Sequence, residues 1–145
     1  MKVADLQRRQ GAVRPVTCGP GNTLENAAQL MLEKNIGALP VTDREERVVG
    51  MISERDVSRA LATRGAAAAT LKVEEYMSRD VASCTGADSV RSAMSTMSRR
   101  RVRHLPVVED GKLLGVISQR DVLGALLEDA QLEVGVLRDV ARVRS

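Results

Sequence analysis

Aromatic residues are almost missing from this chain. Among its 145 residues there is no tryptophan and no phenylalanine, and Tyr76 is the only tyrosine. The core must therefore be assembled from Val, Leu, Ile, Met and Ala. A planar ligand would have to be gripped by aliphatic side chains and backbone, not by stacked rings. Single-strand nucleic-acid binders interleave aromatic platforms with basic residues. That class is disfavoured here, although 22 Lys and Arg against 19 Asp and Glu leave the chain at +3.

Histidine is reduced to one, His104, and cysteine to two, Cys18 and Cys84. Neither cysteine belongs to a C-x-x-C pair and no His/Cys cluster has metal-ligand spacing, so no metal site is expected. The two cysteines read as small buried residues, with a redox-sensing disulfide as the weaker alternative. His104 has no neighbouring Ser, Cys or Asp in a triad-like pattern, and no phosphate-cradling Gly-x-x-x-x-Gly-Lys-Ser/Thr loop occurs. No catalytic residues and no required cofactor are expected. No apolar run approaches the ~18 residues of a membrane span. The start, Met1-Lys2-Val3-Ala4-Asp5, lacks an apolar signal core, so the expected compartment is the cytoplasm and no membrane partner is implied.

What the chain has instead is a repeat. Leu39-Pro40-Val41 returns as Leu105-Pro106-Val107, an offset of 66 shared by Cys18 and Cys84, Thr23 and Ser89, Ala27 and Ala93, and Met31 and Met97. Gly50-Met51-Ile52-Ser53-Glu54-Arg55-Asp56 returns as Gly115-Val116-Ile117-Ser118-Gln119-Arg120-Asp121, now offset by 65. The lost residue falls in a polar stretch where a turn tolerates it.

Each copy reads as β-α-β-β-α. A short strand is expected around Val16-Thr17-Cys18 and around Val81-Ala82-Ser83-Cys84. An amphipathic helix follows, with Leu24, Ala27, Ala28, Met31 and Leu32 on one face in the first copy and Val90, Ala93, Met94 and Met97 in the second. Thr23 and Ser89 (or Asp88) are the expected N-caps. A hairpin comes next, closed in the second copy by Asp110-Gly111. A second helix starts after each Ser, near 54–64 and 119–130. The chain thus divides into a first unit, 1–65, a small-residue linker, 66–72, a second unit, 73–130, and a helical tail, 131–145. In the tail, Leu132, Val136, Val140 and Val143 share a face that either the body of the chain or a second copy must cover. A unit of ~60 residues buries too little surface to stand comfortably alone, so the two copies should pack through their sheets about a pseudo-two-fold axis.

Leu-Pro-Val, a polar turn and Gly-x-Ile-Ser-x-Arg-Asp, twice and in register, resemble a tandem pair of cystathionine-β-synthase (CBS) domains. The resemblance runs from about Ala12 to Glu128. It implies an α/β (α+β) fold of two packed β-α-β-β-α units, a homodimer, and a regulatory role toward an effector protein that the sequence does not name. It further implies an adenine nucleotide or similar adenosyl ligand (AMP, ADP or ATP-like) in clefts between the units. Carried over residue by residue, one cleft would use Thr17, Cys18, Ile36, Gly37 and Ala38 with Ser118, Arg120 and Asp121. The other would use Ser83, Cys84, Val102, Arg103 and His104 with Ser53, Arg55 and Asp56, and Arg103 is placed where it could also reach the first.

The residue chemistry agrees with that assignment. A fixed carboxylate such as Asp56 or Asp121 offers two acceptors to the vicinal hydroxyls of a ribose. Ser53 and Ser118 stand at strand-to-helix junctions, where free helix N–H groups attract anions. The plain alternative is that Ser and Asp only cap the second helix of each unit. Two other functions compete: a ligand-free interaction module of the same fold, and, more weakly, a nucleic-acid binder using Arg99-Arg100-Arg101 and Arg103. The first three of those arginines also suit the end of a helix dipole.

Overall fold

The computed structural model describes residues 1–11 and 14–144; Ala12, where the resemblance was taken to begin, and Ser145, the last residue of the expected tail, lie outside them. Its elements are α1 (Val3–Gln10), α2 (Leu24–Lys34), β1 (Ala38–Thr42), β2 (Val48–Ser53), α3 (Glu54–Arg64), two 3₁₀ turns (Gly65–Thr70 and Val73–Glu75), α4 (Val90–Arg100), β3 (His104–Glu109), β4 (Lys112–Ser118) and α5 (Gln119–Arg144). The fold is the expected mixture of helices and two small sheets, one for each copy.

The repeat persists into the local chemistry. Thr23 caps α2 by accepting from the Asn26 N–H at 3.1 Å, and Ser89 caps α4 by accepting from the Ser92 N–H at 3.0 Å. Both helices end in a left-handed residue, Asn35 at φ 54° and Arg101 at φ 56°. β1 pairs antiparallel with β2 and β3 with β4, Leu39 facing Ile52 and Leu105 facing Ile117. Both hairpins carry a register break one residue past the repeated valine. The turn of the second is Asp110-Gly111, both residues at positive φ, as a two-residue hairpin of this sense requires.

The strands expected around Cys18 and Cys84 shrink to single parallel bridges, Cys18 to Val41 and Cys84 to Val107. Gly19 and Pro20 follow the first cysteine and the turn at Thr85-Gly86 follows the second, so neither segment can extend along its neighbour. Both cysteines are buried and unpaired. Burial pushes the Cys18 thiol up to about 11 and, helped by Asp88, the Cys84 thiol up to about 12; thiols held in that range are poor nucleophiles.

The two hairpins meet at their turns. The Val48 N–H donates to the Gly111 carbonyl at 3.3 Å and the Leu113 N–H to the Glu46 carbonyl at 3.1 Å. That reciprocal exchange is the mark of the pseudo-two-fold relation.

Packing exchanges the segments that precede each unit. Sequence order assigned residues 1–10 to the first unit, but Val3 and Leu6 of α1 sit in the core of the second, with Val90, Met97, Leu105, Val107, Ile117 and Val122. The expected linker, 66–72, is largely a 3₁₀ turn whose Ala68 is buried in the first core, where Val73 and Met77 join it beside Leu24, Leu39, Val41 and Ile52. The reason is visible in the sequence. Met1-Lys2-Val3-Ala4-Asp5 and Leu71-Lys72-Val73-Glu74-Glu75 are a further repeat, now offset by 70. The Asp5 carboxylate accepts from the Lys2 N–H at 2.9 Å and the Glu75 carboxylate from the Lys72 N–H at 2.8 Å. The bridges are matched too, Lys2 to Ser89 and Lys72 to Thr23.

The tail is not a separate helix. α5 runs unbroken for 26 residues, about 39 Å at 1.5 Å per residue. Val122 and Ala125 are buried near its start, whereas Leu132 is 71% and Val143 88% exposed. The body of the chain therefore does not cover the tail face.

Candidate functional site

A cleft of about 1350 Å³ opens between the two units. Ile36, Gly37, Ala38 and Pro40 line it from the first unit, and Arg103, His104, Leu114, Gly115, Val116, Ser118, Gln119, Arg120 and Asp121 from the second. The local folding explains this convergence. Each segment before Leu-Pro-Val is tied to the start of the helix that follows its own hairpin. The Glu54 N–H donates to the Gly37 carbonyl at 3.0 Å, and the Gln119 N–H to the Arg103 carbonyl at 2.7 Å.

At the N-terminus of α5 the Ser118 hydroxyl donates to Asp121 Oδ2 at 2.7 Å, and the Asp121 N–H donates to Ser118 Oγ at 3.1 Å. In the other copy Asp56 is more fully engaged. Its Oδ2 accepts from the Ser53 N–H at 2.9 Å and from the Ser53 hydroxyl at 3.0 Å, while Oδ1 lies 3.9 Å from the Arg59 guanidinium. Asp56 thus closes the capping box of α3 with Ser53, one oxygen held by Ser53 and the other near Arg59 of the same helix. Asp121 keeps acceptor capacity directed at the cleft.

The sequence-assigned residues are distributed unevenly around this space. Ile36, Gly37, Ala38, Ser118, Arg120, Asp121, Arg103 and His104 come together on its walls. Thr17 and Cys18 stand aside, Cys18 in the first core, and Pro15 and Val16 hold the wall position instead. Ser53, Arg55, Asp56, Ser83, Cys84 and Val102 do not line this cleft; Cys84 and Val102 belong to the second core. Arg103 and His104, grouped from sequence with Asp56, stand on the Asp121 side.

One wall was not anticipated at all. Ala4, Gln7, Arg8 and Gln10 of α1 face the cleft, together with Gly11 and Arg14. Gln7 reaches over the β4 backbone so closely that a methyl group on Gly115 would lie 2.7 Å from its Nε2. The Lys2-Val3 and Lys72-Val73 match was the signal that would have placed this helix on the second unit.

The electrostatics are predominantly positive, with Arg8, Arg14, Arg103 and Arg120 against Asp121 among these wall residues. Arg8 is partnered by Asp5 on its own helix, and Arg14 lies 3.4 Å from Glu46. Burial depresses the His104 imidazole below its ordinary value; Asp121 opposes that, Arg103 reinforces it and Glu54 opposes it. A neutral imidazole beside Asp121 can donate one hydrogen bond and accept another. Among the described residues no group of three or more His, Cys, Asp or Glu is placed to hold a metal ion, and no helix is long and apolar enough to cross a membrane.

The family model for the CBS domain matches residues 3–63 and 73–128. The chain belongs to the CBS-domain family. It is 39% identical over 117 residues to a 17.7 kDa protein of Acidianus ambivalens, covering 80% of this chain and 70% of that one. It also spans less than half of longer curated relatives. A CBS-domain containing protein of Agrobacterium tumefaciens superposes with a TM-score of 0.80 at 38% identity, covering 86% of this chain and 98% of that one. Another CBS domain pair, solved in complex with 5'-methylthioadenosine and S-adenosyl-L-methionine, superposes with a TM-score of 0.73 at 25% identity, covering 87% of this chain and 99% of that one.

Proposed function

We propose that this CBS pair is a regulatory module, without catalysis of its own, that binds an adenine nucleotide in the cleft headed by Asp121, acts as a homodimer, and reports occupancy to a separate effector protein. The carrying observation is the meeting of both units in one cleft, where a carboxylate with spare acceptor capacity stands beside a helix N-terminus and several arginines. Asp121 would take the ribose hydroxyls. The Arg120 N–H at the start of α5, the Arg120 and Arg103 guanidiniums and, on turning away from Asp121, the Ser118 hydroxyl would take the phosphates. Ile36, Ala38 and Val16 would hold the base by aliphatic contact and Gly37 by its backbone, as a chain without Phe or Trp requires.

The cleft's charge supports a phosphorylated ligand among the adenosyl candidates. With Arg8 and Arg14 balanced by Asp5 and Glu46, Arg103 and Arg120 against Asp121 on the wall still favour a polyanion over the sulfonium cation of S-adenosylmethionine, because like charges repel most strongly where water is partly excluded. The relative solved with S-adenosyl-L-methionine and 5'-methylthioadenosine supports the adenosyl half of the ligand and leaves the other half to this chain's own residues. Calorimetric titration with ATP, ADP, AMP, adenosine and S-adenosylmethionine tests the reading. Saturable binding that strengthens with phosphate number is expected. No heat with any of the five, from protein shown to be free of bound nucleotide by its absorbance near 260 nm, would leave a ligand-free interaction module.

A further inference from the structure

The exposed face of α5 carries a repeat of its own. Leu123, Leu127, Ala130, Val134, Leu137 and Ala141 follow one another at alternating spacings of 4 and 3. All six are apolar, and they occupy the d and a positions of a heptad. Leu123, Leu127, Val134 and Leu137 are each between 47% and 68% exposed. The other apolar stripe, through Leu132, Val136, Val140 and Val143, has spacings of 4, 4 and 3, and a strict 4-3-4 register from Leu132 puts Asp139 in place of Val140, so it does not close a continuous heptad seam.

A helix that projects beyond its domain also needs support. Gly124 and Gly135 lie within α5, and glycine at an interior helical position weakens a helix relative to alanine. Packing against a partner is the usual source of compensating stability.

The flanking charges name the partner. With Leu123 at d, Glu133 falls at g and Arg138 at e of the next heptad. In a parallel two-stranded coil g of one helix faces the following e of the other, so two copies in register place each Glu133 opposite the partner's Arg138. In an antiparallel pair g meets g and e meets e, and these charges do not meet.

We infer that two copies of this chain associate through α5 as a parallel, in-register coiled coil along Leu123, Leu127, Ala130, Val134, Leu137 and Ala141. The inference rests on the homodimer in the proposed function and gives it a seam and a direction. It also joins the dimer to the cleft, because the helix that starts at Asp121 continues directly into the seam, with Leu123 touching both.

Sedimentation equilibrium of the full chain should give a dimer, and Leu127→Glu should give a folded monomer by circular dichroism. Glu133→Arg alone and Arg138→Glu alone should each weaken the dimer several-fold, and the two together should restore it. Ala130→Cys and Leu137→Cys, made separately, should both form disulfide-linked dimers on mild oxidation. Cys18 and Cys84 are buried and do not compete. An antiparallel pair can juxtapose at most one of the two engineered positions with itself. A monomer mass at every concentration overturns both the homodimer and this inference. A dimer that survives Leu127→Glu, or that crosslinks at neither cysteine, keeps the homodimer and overturns the seam.

Discussion

Met77 packs directly over Gly50: a methyl group built on that glycine would lie 2.5 Å from the Met77 Sδ and 2.9 Å from the Ser78 carbonyl. The same strand position in the second copy is Gly115, and there the overlying atom is Gln7 Nε2 at 2.7 Å. The two segments exchanged between the units thus end differently, in a thioether sealed into one core and in an amide at the rim of a cleft. Ser78 reinforces the first closure by exchanging two backbone hydrogen bonds with Met51, each of 2.9 Å.

Gly50→Ala should therefore destabilise the protein by about 1–3 kcal/mol, the usual range for overpacking, because a backbone carbonyl cannot step aside. Gly115→Ala should cost less, since the far end of Gln7 can swing into the cleft, but it should perturb ligand binding. Chemical denaturation of both variants checks the order. A larger loss for Gly115→Ala would mean that Gln7 is held as firmly as Met77.

Much of this architecture was legible because the repeat is long and regular. Thr23 and Ser89, Ala27 and Ala93, and Leu39 and Leu105 mark the helices, caps and hairpins at a nearly constant offset. The exchanged segments escaped notice because their offset is 70, not 66, and because each match is only about five residues long, too short to show periodicity. The continuity of α5 was also missed: the second helix was expected to end near residue 130 and the tail to begin at 131, yet α5 runs through that boundary unbroken. At the site, the Ser-x-x-Asp pairs looked equivalent in sequence. Only the hydrogen-bond pattern separates a fully engaged Asp56 from an Asp121 with capacity left over.

That separation predicts unequal mutants. Asp121→Ala should weaken adenine-nucleotide binding about tenfold or more, near the 1.4 kcal/mol that a tenfold change represents. Asp56→Ala should change affinity less and stability more, because it removes a capping box from α3 that is worth about 1 kcal/mol. Calorimetric titration together with thermal unfolding of both variants distinguishes the two effects. Loss of binding in Asp56→Ala with full retention in Asp121→Ala would reverse the assignment.

Arg103 is exposed at the cleft wall and its backbone is fixed to Gln119, so its side chain is free to follow a ligand. Arg103→Ala should weaken ATP and ADP by about 1.5–3 kcal/mol, the worth of a hydrogen bond to a charged group, while adenosine is nearly unaffected. An equal loss for all three would make Arg103 a packing residue.

Burial holds the folded-state pKa of His104 below its ordinary value, so the unfolded chain binds this proton more readily than the folded one. Stability should then fall as pH drops below the ordinary histidine value, about 6.5, and continue to fall until the folded-state pKa is passed. The unfolded state carries the extra proton across that window, and stability rises with pH wherever that is so. His104→Gln should flatten this part of the profile while leaving the carboxylate-dependent loss at lower pH in place. A bound polyanion acts in the opposite direction. It favours the imidazolium, raises the folded-state pKa, and must by reciprocity bind more tightly as the pH falls through the same window. Nucleotide titrations at pH 5.5 and 8, run in buffers of different ionisation enthalpy, should show proton uptake on binding in the native protein and less of it in His104→Gln. The same uptake in both would place the titrating group elsewhere in the cleft, whereas no pH dependence of affinity in the native protein would show that the phosphates lie out of reach of His104.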